Sequence, residues 1–580
     1  MTRHRDPGRD LGSRCLAFCT TGFDEYTLSV LRYARTFAAW MIFASVVAVP
    51  VAQTPAAPQI LGKISFPNSG APAAQAPFIR GVLLLHSFEY DDAIAAFREA
   101  ERIDPSFAMA YWGEAMCFNQ TLWYNENLAK GREALSRFAA TPAARQAKAP
   151  TDREKGFLDA VEKMFGPGDK ATRNRAYADR MAALAAQFPA DDEAAVFHAL
   201  SLLGTQPETG ARDTAVMLRA GSIALAVLKK NPQHPGAAHY ALHAFDDGEH
   251  AAMGLDAARI YARIAPASSH AQHMPSHAFL PLGLWDEASR SDEAAWQTSV
   301  ALAKQKGLSS AQHDFHALGW LHYEYLQQGR FEKARSLVAF VDAALANPPN
   351  SPNPSNLANP VNHSNHVESE IGRGNGPLSL TIERASMRAR FVVESGRWDL
   401  MKGQPSFDNV DELFAVGLAS VKLGDRQRSE AALEQLDGAR RAAPDSDSKR
   451  VAEIMYREVG GLYQLLRGEK TEGMAALAAA VRLEGQMARP IARPYPIKPA
   501  GELYAETLLA EGDAAGAVRE FQAALKRTPR RAASLIGLAR AAAASRQPAL
   551  ASKTAREFLG MWNRADQSRA EIAEAKRLTH

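Results

Sequence analysis

Only three cysteines occur in 580 residues, and two of them, Cys15 and Cys19, lie upstream of a segment expected to be removed, so no disulfide framework can hold this fold. Charge of one sign is also lacking. The 67 Lys and Arg face 64 Asp and Glu for a net of +3, too little over this length for a phosphate-tracking surface, and nucleic acid is not an expected partner. β-Branched runs are scarce and no stretch reads as a strand. The P-loop, the nucleophile elbow, the His-Glu-x-x-His pair and any Cys-x-x-Cys pair are missing, so no standard motif assigns a catalytic residue, and the catalytic residues are unknown at this level. Nor does the most apolar segment, residues 37–52 (FAAWMIFASVVAVPVA), reach the roughly 20 residues of a membrane-spanning helix, and Pro50 interrupts it.

That segment has the order of an export signal. Arg32 and Arg35 precede it, small residues suit cleavage after Ala48 or Ala52, and a Pro/Ala-rich tether follows. The thirty residues ahead of Leu31 lengthen the basic region in the manner of a start set too far upstream. The expected location is exported, periplasmic or extracellular, with membrane contact only if the N-terminal segment stays uncleaved. Beyond it, Ala, Leu, Glu, Arg and Lys recur at a three-to-four residue period almost throughout, which predicts an all-helical chain.

The helices repeat. In FEYDDAIAAFREAERIDP, Ala93 is followed by Phe97, Ala100 and Pro105 at offsets of 4, 7 and 12; in GDAAGAVREFQAALKRTP, Ala517 is followed by Phe521, Ala524 and Pro529 at the same offsets. Each residue type has a packing reason: alanines let two helices of a hairpin approach, phenylalanine fills the gap to the next hairpin, and proline stops the second helix. The pattern resembles the tetratricopeptide repeat, and Gly81, twelve residues ahead of Ala93, matches that family's small residue in the first helix. Weaker copies surround Ala288 and Ala334 and recur in LFAVGLASVKLGDRQRSEAALEQL and LYQLLRGEKTEGMAALAAAVRLEG. The resemblance implies an all-α solenoid with a concave binding surface, and it is specific for fold rather than function. The expected organisation is a signal segment over 1–52, a tether over 53–77, a first array over 78–346, a Pro/Asn/Gly-rich loop over 347–377, and a second array over 378–580.

Ten of the sixteen histidines fall between His234 and His322. His239, His270 and His316 each stand eighteen residues ahead of an anchoring alanine (Ala257, Ala288, Ala334), so they occupy one equivalent site in three successive repeats. In the tetratricopeptide family that site faces the groove. At about 100° per residue, His243 falls on the face of His239, and His273 and His277 on the face of His270, unless Pro275 starts a new helix there. The expected ligand groove is therefore lined by His239, His243, His270, His273, His277 and His316. The pairs His239/His243, His273/His277 and His313/His316 have the spacing that suits a shared zinc or copper ion, which adds His270 and His313 to the candidate metal ligands. Asp246, Asp247, Glu249 and Asp314 can supply oxygen or orient the rings. The competing reading has the same histidines bonded to one another, to backbone, or to a bound peptide.

Smaller signals are an aromatic stretch with Trp112, Phe118, Trp123 and Tyr124, which packs between hairpins or floors a pocket, and the tract ARPIARPYPIKPAGELY, a connector across the groove or a plain linker. His363 and His366 lie in the long loop. The stretches AHYALHAFDD, APASSHAQHMPSHAFLPLGLWDEA and RPYPIKPAGELYAETLLAEG resemble a group of large exported bacterial tetratricopeptide-repeat proteins with a His-rich central segment. In that group a histidine often precedes the glutamate of the last motif, where this chain has Gly501 before Glu502. The function these readings support is an exported scaffold that binds a protein, peptide or small ligand in a His-lined groove with a divalent metal assisting. The alternative is a metal-dependent hydrolase on the same scaffold, with Glu249 as the acid placed to serve as base.

Overall fold

Alanine-rich amphipathic stretches, stopped at Gly, Asp or Pro, fold into helices joined as antiparallel hairpins. The computed structural model describes residues 59–207, 212–346, 377–403 and 409–579. The expected signal segment, nearly all of the loop over 347–377, and His363 and His366 lie outside them. Among the described residues the only strand pairing is a two-residue ladder, Asn119–Gln120 with Asn125–Glu126, and no helix is long and apolar enough to cross a membrane. The described residues form an all-α array of antiparallel helical hairpins.

The repeat's small and large residues pack as their types demand. Ala93 and Ala100 are fully buried, and Phe97 wedges so tightly that a Cβ at Gly81 would sit 2.7 Å from its ring. A Cβ at Gly113, in the next helix, would also meet that ring, so Phe97 spans two hairpins. Phe521 meets Gly537 in the same way near the far end. Many helices start at an Asp, Asn or Thr whose side chain accepts from the first free N–H groups, among them Asp191, Asp213 and Asp445, and Thr151 closes a capping box with Glu154.

Five hairpins turn through a glycine with positive φ placed five residues ahead of the anchoring small residue: Gly283, Gly329, Gly424, Gly468 and Gly512. The left-handed backbone there costs a Cβ-bearing residue about 1 kcal/mol or more. In the first hairpin the same place is held by Phe88, at φ 59°.

Residues 59–580 form one unit. From residue 59 on, the stretch expected as a tether is docked, with Lys63 N–H donating to the Gln233 carbonyl at 2.9 Å and Phe66 packed on Trp112 and Phe157, and helix begins at Pro72. This corrects the picture of a loose tether: Leu61 and Phe66 give that segment apolar surface to bury. Helices from either side of the long loop share one core containing Trp320, Leu380, Phe391, Leu535 and Trp562. The last hairpins thus return to the central ones. Trp285 donates to the Arg530 carbonyl and Trp562 to the Gln327 carbonyl, both at 2.9 Å. The proline-rich tract is an interior strut: Ile497, Arg493 and Lys498 are buried, and Arg489 lies against Gly248.

Candidate metal centre

Three consecutive hairpins build the site. Their helices are α1 (Pro235–Ala244), α2 (Leu255–Ile264), α3 (Ser269–His273), α4 (Ser276–Phe279), α5 (Trp285–Gln305), α6 (Phe315–Gln327) and α7 (Phe331–Ala346). The anchoring alanines Ala257, Ala288 and Ala334 lie fully buried in α2, α5 and α7, so each partner helix turns the same face inward. Pro275 interrupts the second hairpin and splits its first arm into α3 and α4.

Six of the seven histidines expected as ligands gather into two groups of three. His239, His243 and His270 form one; His273, His277 and His316 form the other; in each, one nitrogen from every ring lies within 4.8 Å of the other two. His239 Nε2 is 2.9 Å from His270 Nε2 and 3.1 Å from His243 Nε2, and His273 Nε2 is 3.0 Å from His277 Nε2. Nitrogens bound to one ion at about 2.0–2.1 Å in a tetrahedral arrangement stand about 3.3 Å apart, so these spacings are a few tenths of an ångström inside those of a coordinated set. The one-face expectation for His270, His273 and His277 changes in one respect. Short helix α3 sends His270 to the first cluster and His273 to the second, while α4 brings His277 beside His273.

Hydrogen bonds on the far side of the rings fix where the lone pairs point. His239 Nδ1 lies 2.6 Å from the carbonyl of His86, which only accepts, so His239 carries its proton on Nδ1. His273 Nδ1 lies 2.6 Å from Asp292 Oδ1, and His277 Nδ1 lies 3.0 Å from Asp246 Oδ2. Where both rings carry their protons toward these aspartates, two Nε2 lone pairs face each other at 3.0 Å. That contact is repulsive unless a cation, either an extra proton or a metal ion, lies between them. Carboxylate and carbonyl acceptors behind metal-binding imidazoles are the usual way of fixing the tautomer and raising ligand basicity.

The supports come from positions with a pattern of their own. Asp292 stands four residues after Ala288, where the first repeat carries Phe97 and a late one Phe521. The matching residue after Ala257 is Tyr261, whose ring stacks on His239 at 5.2 Å. A buried aspartate in a place reserved for a phenylalanine was a readable sign in the sequence, though the histidine it serves was not. Glu324 adjoins Asp292, and burial pushes both carboxyls up. Two such groups cannot both ionise side by side.

Behind His239 sits a sealed trio. His86 Nε2 lies 2.9 Å from Glu193, and His234 Nε2 lies 3.2 Å from it. His234 Nδ1 accepts from the Ala237 N–H as the cap of α1, which leaves the proton on Nε2, toward Glu193. Burial alone would raise the Glu193 carboxyl, but attraction to His86 and His234 outweighs it and holds the group down at about 2. For His86, burial dominates and lowers the pKa. The trio has the donors of a metal site as well. It holds the His86 carbonyl under His239. Gly236 permits this, because a Cβ there would collide with the His86 ring.

Aromatic rings wall the clusters. Phe88, forced into its left-handed turn, sits 4.4 Å from His239, 5.8 Å from His243 and 5.6 Å from His270 between ring centroids. Trp123 meets His270 edge-on, while Trp112 belongs to the core beside Phe157 and Phe197. Trp320 stacks on His277 at 4.5 Å. His239 and His273 are buried, whereas His270, His277 and His316 remain half-buried, so solvent reaches each cluster from one side.

The remaining candidates lie elsewhere. His313 packs edge-on against Trp296 and belongs to neither cluster; the His313/His316 pairing fails because His313 precedes α6, ahead of its Asp314 cap. Asp314 accepts from Ala317 and Ser269 rather than from a site imidazole. Asp247 pairs with His250, and Glu249 is exposed beyond the end of α1. His322 is sealed inside, near Arg493 and Arg390, which with burial lower its pKa to about 3.

The C-terminal motif makes an ionic core instead of a metal site. Glu502 accepts from Arg531 and Lys498 at 2.8 Å each and from Ser534, and Arg531 also reaches Glu394 at 2.7 Å and the Tyr323 hydroxyl at 2.9 Å. Gly501 donates its N–H to Glu484 at 3.1 Å. Only Ala524 and Glu484 come within 4 Å of where its Cβ would stand, both at 3.8 Å.

No protein-family model and no curated protein matches this sequence. Among solved structures, the chain is similar to Cut9–Hcn1 of the APC/C hetero-tetramer (10% identity, 89% of this chain and 79% of that one, TM-score 0.28). It is also similar to the human IFIT1 dimer with PPP-AAAA (12%, 86% and 89%, 0.31) and to the P58(IPK) TPR domain (14%, 67% and 98%, 0.19). Scores this low carry no argument about function.

Proposed function

Taking the chain as a solenoid of tetratricopeptide-type repeats, we propose that its central hairpins hold two transition-metal ions, one in each three-histidine cluster, and present them to a small ligand entering from the solvent side. Three imidazole nitrogens are a sufficient set for zinc or copper and leave a further position for an incoming group. The observation that carries this reading is the approach of His273 and His277. Both rings set Nδ1 against a buried aspartate, and their Nε2 atoms meet at 3.0 Å. The hydrogen-bonding alternative gives no reason for three outward acceptors arranged behind the rings.

The scaffold itself suits protein or ligand binding, as repeat arrays generally do. Export is part of the proposal and rests on residues 37–52 alone; finding the chain in the cytosol with an intact N-terminus contradicts it. Elemental analysis of protein purified without a histidine tag tests the metal. The expected result is two equivalents of metal per chain, lost in a His239/His273/His316 triple alanine variant that keeps its helical signal. Metal-free protein that also refuses added zinc and copper overturns the reading.

A further inference from the structure

A cavity of about 520 Å³, open to solvent, lies on the first two hairpins and is lined by Arg98, Glu101, Arg102, Pro105, Tyr111 and Arg137. Three helices bring these residues together. Tyr90–Ile103 carries Arg98, Glu101 and Arg102, Ala108–Met116 carries Tyr111, and Leu128–Phe138 carries Arg137. Arg98 and Arg102 stand one turn apart on one face of their helix, and the next hairpin sets Arg137 beside them.

Part of this set holds the hairpins together. Glu114 is fully buried; Arg98 Nε donates to its Oε1 at 2.8 Å, while Arg137 Nη2 donates to its Oε2 and, at 3.1 Å, to Glu101 Oε2. Arg102 serves none of that packing. Its side chain is 70% exposed, and its Nε and Nη2 donate to Glu99 of the same helix at 3.0 and 2.6 Å. An exposed pair of that kind adds little to stability.

The guanidiniums also have donors to spare. Arg98 Nη1, Arg102 Nη1, and Arg137 Nε and Nη1 meet no acceptor among the described residues. Charge is left over as well. Burial first, and then the Glu114 carboxyl beside it, push the Glu101 carboxyl up, so the two neighbours resist ionising together and do not cancel the arginines.

We infer that this cavity is a binding site for a phosphate group, either free or carried on a small organic molecule. Planar guanidiniums with parallel N–H groups suit phosphate oxygens. Donors on three side chains from two helices match a group with several acceptor oxygens better than a carboxylate with two. The volume falls within the roughly 300–1,000 Å³ of small-molecule sites and exceeds what phosphate alone fills, and Pro105 and the Tyr111 ring give the remainder an apolar border. The site stands apart from the histidine clusters and does not depend on their holding metal.

Calorimetric titration of the full chain with inorganic phosphate, phenyl phosphate and acetate, in low-salt buffer free of phosphate, tests the inference. One saturable site for both phosphates and none for acetate is expected. Tighter binding of phenyl phosphate identifies an organic monoester as the ligand class, and equal binding identifies the free anion. Arg102→Gln should weaken binding by about tenfold or more, the size of one charge-assisted contact, with an unchanged unfolding midpoint. Arg137→Lys keeps the charge but loses the fork, and should weaken binding too. Arg335→Gln is the control, because Arg335 pairs with Glu332 on its own helix outside the cavity, and it should bind as the parent does. The absence of saturable phosphate binding overturns the inference. Binding left unchanged by both Arg102→Gln and Arg137→Lys overturns it as well, since the anion then sits elsewhere, the histidine clusters included.

Discussion

Tyr261 and Asp292 occupy the same place in successive repeats, four residues after Ala257 and Ala288, and each braces a site histidine: Tyr261 by stacking on His239 at 5.2 Å, Asp292 by hydrogen bonding to His273 Nδ1 at 2.6 Å. The first repeat and a late one put phenylalanine there, Phe97 and Phe521, to fill the gap between hairpins. The central repeats have converted a packing position into a support for imidazoles. Asp292→Asn keeps the acceptor and removes the charge, so metal affinity should fall by about 10- to 100-fold with the fold retained, as measured by competition titration with a chromophoric chelator. Tyr261→Phe keeps the stacked ring and should leave affinity unchanged. Equal affinities for parent and Asp292→Asn would show that the aspartate is packing only.

Phe88 stores strain beside the first cluster. Replacing it with glycine relieves a left-handed backbone worth about 1–2 kcal/mol, but removes a buried ring whose loss costs about 3–5 kcal/mol. The net should be a loss of about 2–3 kcal/mol, visible as a lower midpoint in urea unfolding. A more stable Phe88→Gly protein would mean that the ring contributes nothing to the core or to the cluster wall.

The arrangement was legible where it depends on local pattern. The Ala93/Phe97/Ala100/Pro105 signature predicted the hairpins because each residue type answers a packing need, and the eighteen-residue spacing from the alanines picked out His239, His270 and His316. What the sequence hid depends on contacts between distant segments. The His86 carbonyl is 153 positions from His239, Asp292 reaches back from the second arm of its hairpin, and periodicity alone could not say that His270 and His273 on α3 would go to separate clusters. The return of the C-terminal hairpins onto α6, through Arg531 and Tyr323, is likewise set by tertiary packing of two remote surfaces.

Glu502 anchors that return. Burial would raise its carboxyl, but Arg531 and Lys498 hold it down at about 2. Glu502→Gln leaves two buried cations short of a counter-charge, and breaking such a network costs about 3–5 kcal/mol. Chemical unfolding should report a loss of that size. A loss below about 1 kcal/mol would place the cations in contact with water.

His322 sets an acid limit. Its folded pKa is about 3 against an ordinary 6.5, the effect first of burial and then of Arg493 and Arg390. The unfolded chain binds a proton below pH 6.5 that the folded chain refuses, so the stabilisation is complete above pH 6.5 and is lost progressively as pH falls toward 3. The slope from this one group approaches about 1.4 kcal/mol per pH unit. Replacing it with phenylalanine should flatten the pH dependence of the unfolding midpoint across that window by about one proton. An unchanged slope would mean that His322 titrates freely in the folded protein.

The most direct test of the whole account is X-ray absorption at the metal edge of the copper- or zinc-loaded chain. Three imidazole nitrogens per ion at about 2.0–2.1 Å, with the outer-ring scattering that imidazoles produce, are predicted. A first shell made of carboxylate oxygens, or of one histidine and water, would contradict it by placing the metal outside the two clusters.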